Sequence, residues 1–255
     1  MKDRKFKYHI LVIGCGGTGG YFLKEFARYL YGQNLSDVNI SDITICDGDI
    51  VEKSNISRQP YIEDDIGEKK AIALSMALEE NFGVRFTCYP KYLEKVDELN
   101  KWFEGCDLSE TSSYGDIHIP VIIGCVDNHG CRLLCETFFK ESYNCIYFDS
   151  ANEFTSGEVT FSYKLNGKQL SKLRSEIFPD IKQGDTRNVT EMSCEELNIH
   201  SPQHIATNMR AGNILLSAVC KLIKDNAIMP GMVFFDVDSM SEEFIKKPYS
   251  GGKVE

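Results

Sequence analysis

The stretch HILVIGCGGTGGYF, residues 9–22, decides the fold, because an apolar run breaks into glycines and then resumes. The apolar residues before the glycines predict a buried strand, and the 3.6-residue spacing after them predicts an amphipathic helix. Gly14, Gly16 and Gly19 match the G-x-G-x-x-G pattern in this strand–turn–helix context. These glycines, with Gly17, permit a tight turn that lets backbone N–H groups approach a phosphate at a helix start. The pattern predicts a phosphate site and leaves the nucleotide open.

Strand and helix patterns alternate from the N-terminus through residue 149. This alternation is typical of an α/β fold with a doubly wound, Rossmann-like, mostly parallel sheet. No Pro/Gly/Ser-rich linker divides the chain, and no internal repeat is present. We therefore expect a single domain over residues 1–255, in which residues 1–150 form the nucleotide-binding half.

The pattern changes in the C-terminal half, residues 151–255, where antiparallel additions to the sheet are expected. Ser201 and Pro202 have the residue types that favour a helix start. A crossover segment precedes this predicted start. The predicted elements are an antiparallel strand, a long amphipathic helix and a last strand, over residues 157–165, 203–224 and 232–237.

Composition excludes several classes of protein. The formal net charge is −10, without the basic surplus of a nucleic-acid binder. No apolar run approaches the ~18 residues of a membrane span, and no secretory signal is recognisable, so we expect a cytoplasmic protein. The ten cysteines are scattered and form no C-x-x-C pair. We therefore expect reduced cysteines and no structural zinc site.

Asp47 ends the second predicted strand, 28 residues after Gly19. A carboxylate at this place in a Rossmann-like unit binds the ribose of a nucleotide. Since NAD and ATP both carry a ribose, Asp47 does not distinguish between them.

Further motifs follow in order along the chain: D-G-D at 47–49, N-x-x-R-Q at 55–59, G-x-x-K at 67–70 and V-D-N at 126–128. This ordered set resembles the ThiF/MoeB/HesA family, the bacterial relatives of ubiquitin-activating enzymes. The short form and the C-terminal stretch most resemble the ThiF-like proteins of PRTRC systems. The resemblance implies ATP-dependent adenylation of the C-terminal carboxylate of a small ubiquitin-like (β-grasp) protein or peptide. It also implies a homodimer.

The chemistry of adenylation explains the residue types in these motifs. A C-terminal carboxylate is already ionised at neutral pH, so its attack on the α-phosphorus of ATP needs charge neutralisation rather than a general base. The resemblance implies that Arg58 and Lys70 clamp the phosphates and that Asp127 holds Mg²⁺. Asn55 and Gln59 are then positioning donors.

Asp49 and Asn128 complete the nucleotide-binding residues that the resemblance implies. Each motif also has a simpler interpretation. Asp127 and Asn128 are strong N-cap residues for a following helix, and Arg58 and Lys70 are residue types that usually lie on a solvated surface.

Cys194 is the residue to which the resemblance directs attention for a second step, transfer of the acyl group to a thiol. Ser193 and Glu196 have the spacing of a capping box, which places Cys194 at a helix N-terminus that favours the thiolate. The neighbouring Glu191 and Glu195 oppose that effect. The alternative is a cysteine without a catalytic role in the crossover segment.

Other interpretations remain open at this stage. Only 13 residues precede Gly14 in this sequence, so we do not expect the N-terminal R-x-x-R-Q helix of many family members. This leaves a catalytically inactive ThiF-like scaffold as one alternative. A second is an NAD(P)-dependent oxidoreductase, which accounts for the glycines and Asp47 but leaves Arg58, Lys70 and Asp127 without a role.

Overall fold

The structure is a computed structural model that describes residues 5–34, 37–106, 116–182 and 204–246. The strands are β1 (Phe6–Ile13), β2 (Ile40–Cys46), β3 (Thr87–Tyr89), β4 (Ile117–Gly124), β5 (Cys145–Asn152), β6 (Ser156–Leu165), β7 (Lys168–Gln169), β8 (Gly231–Asp236) and β9 (Ser241–Lys246). The helices are α1 (Gly17–Tyr31), α2 (Lys70–Phe82), α3 (Val96–Trp102), α4 (His129–Glu141), α5 (Arg174–Ile177) and α6 (Ile205–Asp225). Short 3-10 turns occupy Lys53–Asn55, Glu63–Asp65 and Pro179–Lys182.

The nine strands of the described ranges belong to one sheet, with β7 paired to β6 and the others in the order β3-β2-β1-β4-β5-β6-β8-β9. The first five strands in this order are parallel, and every pairing from β5 onward is antiparallel. The predicted α/β class, a doubly wound sheet with antiparallel C-terminal additions, is confirmed. The sheet runs without a break from the N-terminal into the C-terminal half.

Both faces of the parallel strands are buried, which explains the continuous apolar runs in the sequence. In β1, Ile10 and Val12 pack in the core beneath α1, α2 and α6. Leu11 and Ile13 point to the opposite face and pack in the core beneath α3 and α4.

Helix α6 packs directly on α1 and thereby brings the C-terminal half against the glycine turn. Gly212 makes this approach possible, since a Cβ there would lie 3.0 Å from the amide nitrogen of Phe22. The helix begins at Ile205, with His204 as its N-cap, whose Nδ1 accepts a hydrogen bond from Ala206 N at 3.2 Å. The helix thus begins two residues after the predicted start at about residue 203, and His204 provides the cap that the sequence assigned to Ser201.

The carboxyl ends of β1 and β4 form the crevice in which a doubly wound sheet binds ligands. The chain leaves β1 toward β2 on one side, while β4 lies on the other side of β1. Among the described residues, no helix combines the length and the apolar character that a membrane crossing requires. Nine of the ten cysteines lie in this part of the chain, and all nine are free thiols.

Candidate active site

The glycine turn between β1 and α1 has the geometry that the sequence predicts. Gly14 has φ +94°, a conformation that favours glycine, and a Cβ there would lie 2.5 Å from the carbonyl oxygen of Cys125. A Cβ on Gly19 would lie 1.9 Å from Gly14 O. Both positions therefore require glycine for the tight turn. Gly16 is the N-cap of α1 and Gly17 its first residue, so the free N–H groups of the helix face the crevice.

Gly16 and Gly17 differ in their surroundings. Among the described residues, a Cβ on Gly16 would have one neighbour within 4 Å, Gln59 Nε2 at 3.8 Å. A Cβ on Gly17 would lie 2.0 Å from Asn208 Nδ2 of α6. The second glycine is thus needed for packing against α6, while the first leaves open space beside the helix N-terminus.

Asp47 joins the glycine turn to the turn that follows β2. Its Oδ2 accepts a hydrogen bond from Cys15 N at 2.6 Å, and its Oδ1 accepts one from Asp49 N at 2.7 Å. Burial, and then the charge of Asp49, raise the pKa of Asp47, while Lys70 and the two amides act in the opposite direction. Each carboxylate oxygen keeps one lone pair with which to accept a hydroxyl donor, as a ribose would supply.

Lys70 and Asp49 form an ion pair beside Asp47. Lys70 Nζ lies 2.7 Å from Asp49 Oδ2, and the lysine side chain is only 8% exposed. Burial opposes ionisation of Asp49, but the charge and hydrogen bond of Lys70 and the hydrogen bond from Tyr92 outweigh it and lower the pKa of Asp49. Lys70 is therefore a buried cation held at the crevice, rather than a solvated surface lysine.

The segment that carries Asn55, Arg58 and Gln59 runs past the glycine turn. Asn55 Oδ1 accepts a hydrogen bond from Glu52 N at 2.9 Å, so this side chain orders its own turn. Arg58 is half-buried and Gln59 is buried. Gln59 Oε1 has no hydrogen-bond donor among the described residues, although it is shielded from solvent. A buried acceptor near Gly16 therefore remains for a ligand to satisfy.

Asp127 and Asn128 lie in the loop between β4 and α4, and their surroundings differ. Asn128 is the N-cap of α4, and its Oδ1 accepts a hydrogen bond from Cys131 N at 2.9 Å. Asp127 is exposed. No group of three or more His, Cys, Asp or Glu side chains suited to a metal is found in the described ranges. A single carboxylate suits Mg²⁺ that takes its remaining ligands from phosphate oxygens and water.

Tyr61 and Tyr92 support the crevice, although no sequence pattern pointed to either. The Tyr61 hydroxyl donates a hydrogen bond to Cys15 O at 2.7 Å. The Tyr92 hydroxyl donates one to Asp49 Oδ1. Burial and then this bond raise the pKa of Tyr92, and the charges of Asp47 and Asp127 add to the effect.

Arg132 holds the loop of Asp127 in place from within α4. It donates hydrogen bonds to the carbonyl oxygens of Val126 and, at 3.0 Å, Ser150, and it pairs with the fully buried Asp149. A charged residue on the buried side of a predicted helix was the available signal for this role, because such a charge needs a partner.

Cys194 and its neighbours lie outside the described residues, so the catalytic role of its thiol remains a prediction from sequence. His204, in contrast, is described and is the N-cap of α6.

Comparison with known proteins identifies the family of this chain. The ThiF family model matches residues 2–250. No functionally curated protein matches the sequence.

Several solved structures share the fold. Escherichia coli MccB with AMPCPP and selenomethionine MccA aligns with a TM-score of 0.64 at 16% identity, over 98% of this chain and 65% of that chain. PaaA aligns with a TM-score of 0.62 at 16% identity, over 94% of this chain and 64% of that one. The microcin C7 biosynthetic enzyme MccB with N-formylated MccA aligns with a TM-score of 0.63 at 15% identity, over 95% and 66%. This chain thus spans just under two-thirds of the length of these proteins. Since the family model matches nearly its whole length, the chain belongs to the ThiF family.

Proposed function

We propose that this chain binds ATP and Mg²⁺ and adenylates the C-terminal carboxylate of a peptide or small protein. The observation that carries the proposal is the convergence of the glycine turn, Asp47 and the Asp49–Lys70 pair at one crevice. Membership of the ThiF family supports it. Solved structures of MccB, which share this fold, include complexes with ATP and with AMPCPP and MccA. By analogy they favour ATP as the nucleotide and a peptide as the second substrate.

The reaction requires little proton transfer. A carboxylate oxygen forms a bond to the α-phosphorus, the bond from that phosphorus to the bridging oxygen breaks, and pyrophosphate leaves with the electron pair. Lys70 and Arg58 supply positive charge for the phosphates at this step. Asp127 would hold Mg²⁺, which supplies further positive charge to the phosphate oxygens when bound. The free N–H groups of α1 add donors at the phosphate end of the site.

Gln59 adds support for a nucleotide. Its buried Oε1 lacks a donor among the described residues, and its Nε2 lies close to the N-cap of α1. A hydroxyl or amine of a bound nucleotide would provide that donor. Without a ligand, the unsatisfied acceptor costs about 1–3 kcal/mol.

The finer identity of the substrate follows from the family resemblance. A small ubiquitin-like protein of the β-grasp fold is the proposed partner, and a homodimer is the proposed assembly. The proposed second step is attack of the Cys194 thiolate on the acyl carbonyl carbon, which forms a thioester while the bond to the phosphate oxygen breaks and AMP leaves. After reaction with partner and ATP, a non-reducing gel should show a thiol-sensitive adduct. Cys194→Ala removes this adduct and the control Cys88→Ala keeps it; an adduct that survives in Cys194→Ala contradicts the thiol step.

Exchange of radiolabelled pyrophosphate into ATP tests the adenylation step. The substrates are the small proteins encoded beside the gene, each prepared with a free and with an amidated C-terminus. Exchange that requires the free carboxylate is the expected result. ATP binding without exchange for any of these proteins counts against the proposal and favours an inactive scaffold. Calorimetry that gives tighter binding of NAD than of ATP favours the oxidoreductase alternative.

A further inference from the structure

Tyr92 lies against the turn that carries both acidic residues of the site. It follows β3, and its half-buried ring covers Gly48, where a Cβ would lie 2.6 Å from ring atoms Cγ and Cδ2. Only glycine between Asp47 and Asp49 therefore allows the ring to approach so closely. This contact directs the phenol to Asp49 Oδ1, to which it donates a hydrogen bond.

The two oxygens of Asp49 are divided between two donors. Oδ1 accepts from Tyr92, and Oδ2 accepts from Lys70 Nζ at 2.7 Å. Both donors favour the ionised carboxylate, whose pKa is lowered in spite of burial. Lys70 is at the same time the cation expected to clamp the phosphates. In the structure, its ammonium group is paired with Asp49.

A nucleotide must therefore compete with Asp49 for Lys70. If Lys70 were the only protein donor to Asp49, its transfer to a phosphate would leave this carboxylate, 44% exposed, with water alone as donor, which is unfavourable where a bound nucleotide shields it from solvent. The phenol of Tyr92 remains on Asp49 and reduces that penalty. We propose that Tyr92 is a positioning residue that holds Asp49 and so releases Lys70 to a bound nucleotide; this inference rests on the proposed binding of ATP.

A double-mutant cycle on ATP affinity tests this role. Calorimetry measures the dissociation constant of ATP for the wild type, Tyr92→Phe, Asp49→Asn and the double variant. Tyr92→Phe keeps the ring on Gly48 and is expected to weaken ATP binding about tenfold, the typical effect of one hydrogen bond to a charged group. In the Asp49→Asn background, the same substitution is expected to change affinity less than about twofold, because no carboxylate competes for Lys70.

The matched control is Tyr89→Phe, three residues earlier. Its hydroxyl donates a hydrogen bond to Glu98 at 3.1 Å, so its loss should leave ATP affinity unchanged. A merely structural role of Tyr92 predicts the same loss of affinity in both backgrounds at position 49. That result, or an unchanged affinity in Tyr92→Phe, overturns the inference.

A nucleotide-free measurement separates this inference from the proposed function. Amine labelling followed by mass spectrometry gives the modification rate of Lys70, with the exposed Lys53 as internal reference. Tyr92→Phe should slow labelling of Lys70, since Asp49 then holds the ammonium group more firmly; an equal rate overturns the inference. If added ATP does not protect Lys70 of the wild type from labelling, the proposed binding of ATP is contradicted. The ratio of the nucleotide-free labelling rates in wild type and Tyr92→Phe still decides the role of Tyr92.

Discussion

Replacing Gly17 with alanine is expected to destabilise the protein by displacing Asn208 of α6. The new Cβ would lie 2.0 Å from Asn208 Nδ2 and 2.4 Å from its Cγ, where ordinary contact begins at about 3.4 Å. Asn208 is fully buried and accepts hydrogen bonds from Thr18 at 3.5 Å and from Asn152 at 3.4 Å, so it has no route into solvent. The overlap must be relieved by a shift of α1 against α6.

The size of the effect follows from these contacts. Overpacking of this kind costs about 1–3 kcal/mol of the free energy of unfolding. Asn208→Ala alone should cost about 1 kcal/mol, because its two hydrogen bonds are long and its Nδ2 has no partner among the described residues. In the double variant the shortened side chain makes room for the new methyl group. We therefore expect a favourable coupling of about 1–2 kcal/mol between the two substitutions.

Urea unfolding followed by circular dichroism measures the four free energies of this cycle. Gly16→Ala is the matched control: among the described residues its Cβ would have one neighbour within 4 Å, Gln59 Nε2 at 3.8 Å, so its effect should add to that of Asn208→Ala without coupling. Additivity of Gly17→Ala and Asn208→Ala within about 0.5 kcal/mol would refute the argument that α6 limits the space at the glycine turn.

Further predictions concern the polar contacts around the crevice. Arg132→Met leaves buried Asp149 without its closest partner and should cost about 3–5 kcal/mol, or about 10 °C in a calorimetric melting temperature; a loss below about 1 kcal/mol contradicts this. Tyr61→Phe removes the hydrogen bond to Cys15 O and should cost about 1 kcal/mol in urea unfolding, whereas unchanged stability argues against that bond. Because the native pKa of Asp49 is lowered, its ionised form stabilises the fold above the ordinary pKa of an aspartate, and this contribution is lost as pH falls through the native pKa. The stability difference between wild type and Asp49→Asn should therefore stay constant above about pH 5 and shrink as the pH falls below about 4, and a difference that does not change on acidification would contradict it.

Local patterns in the sequence were sufficient to predict the fold class. The run before Gly14 is apolar throughout because β1 is covered on both faces, and the amphipathic spacing after Gly19 belongs to a helix that buries one side. Strand β9, in contrast, was not predicted. Most of its side chains are exposed, so it lacks the alternation that marks a half-buried strand.

The supporting residues of the site could not be predicted in the same way. Asn208 meets Thr18 across 190 positions of sequence, and Tyr92 meets Asp49 across 43. Such contacts depend on the order of strands and on helix packing, which single-sequence patterns do not specify. The start of α6 shows a local limit as well, because Ser201 and Pro202 have the residue types of a helix start, yet His204 provides the cap.

Adenylation of a carboxylate leaves a mark that can be followed with labelled oxygen atoms. A partner protein carrying oxygen-18 in its C-terminal carboxylate is incubated with the enzyme, ATP and hydroxylamine as acyl acceptor, and the nucleotide product is analysed by mass spectrometry. We expect AMP that contains one oxygen-18 atom, since the oxygen that attacks the α-phosphorus stays on it when the acyl group leaves. Unlabelled AMP, or ADP in place of AMP, would contradict it.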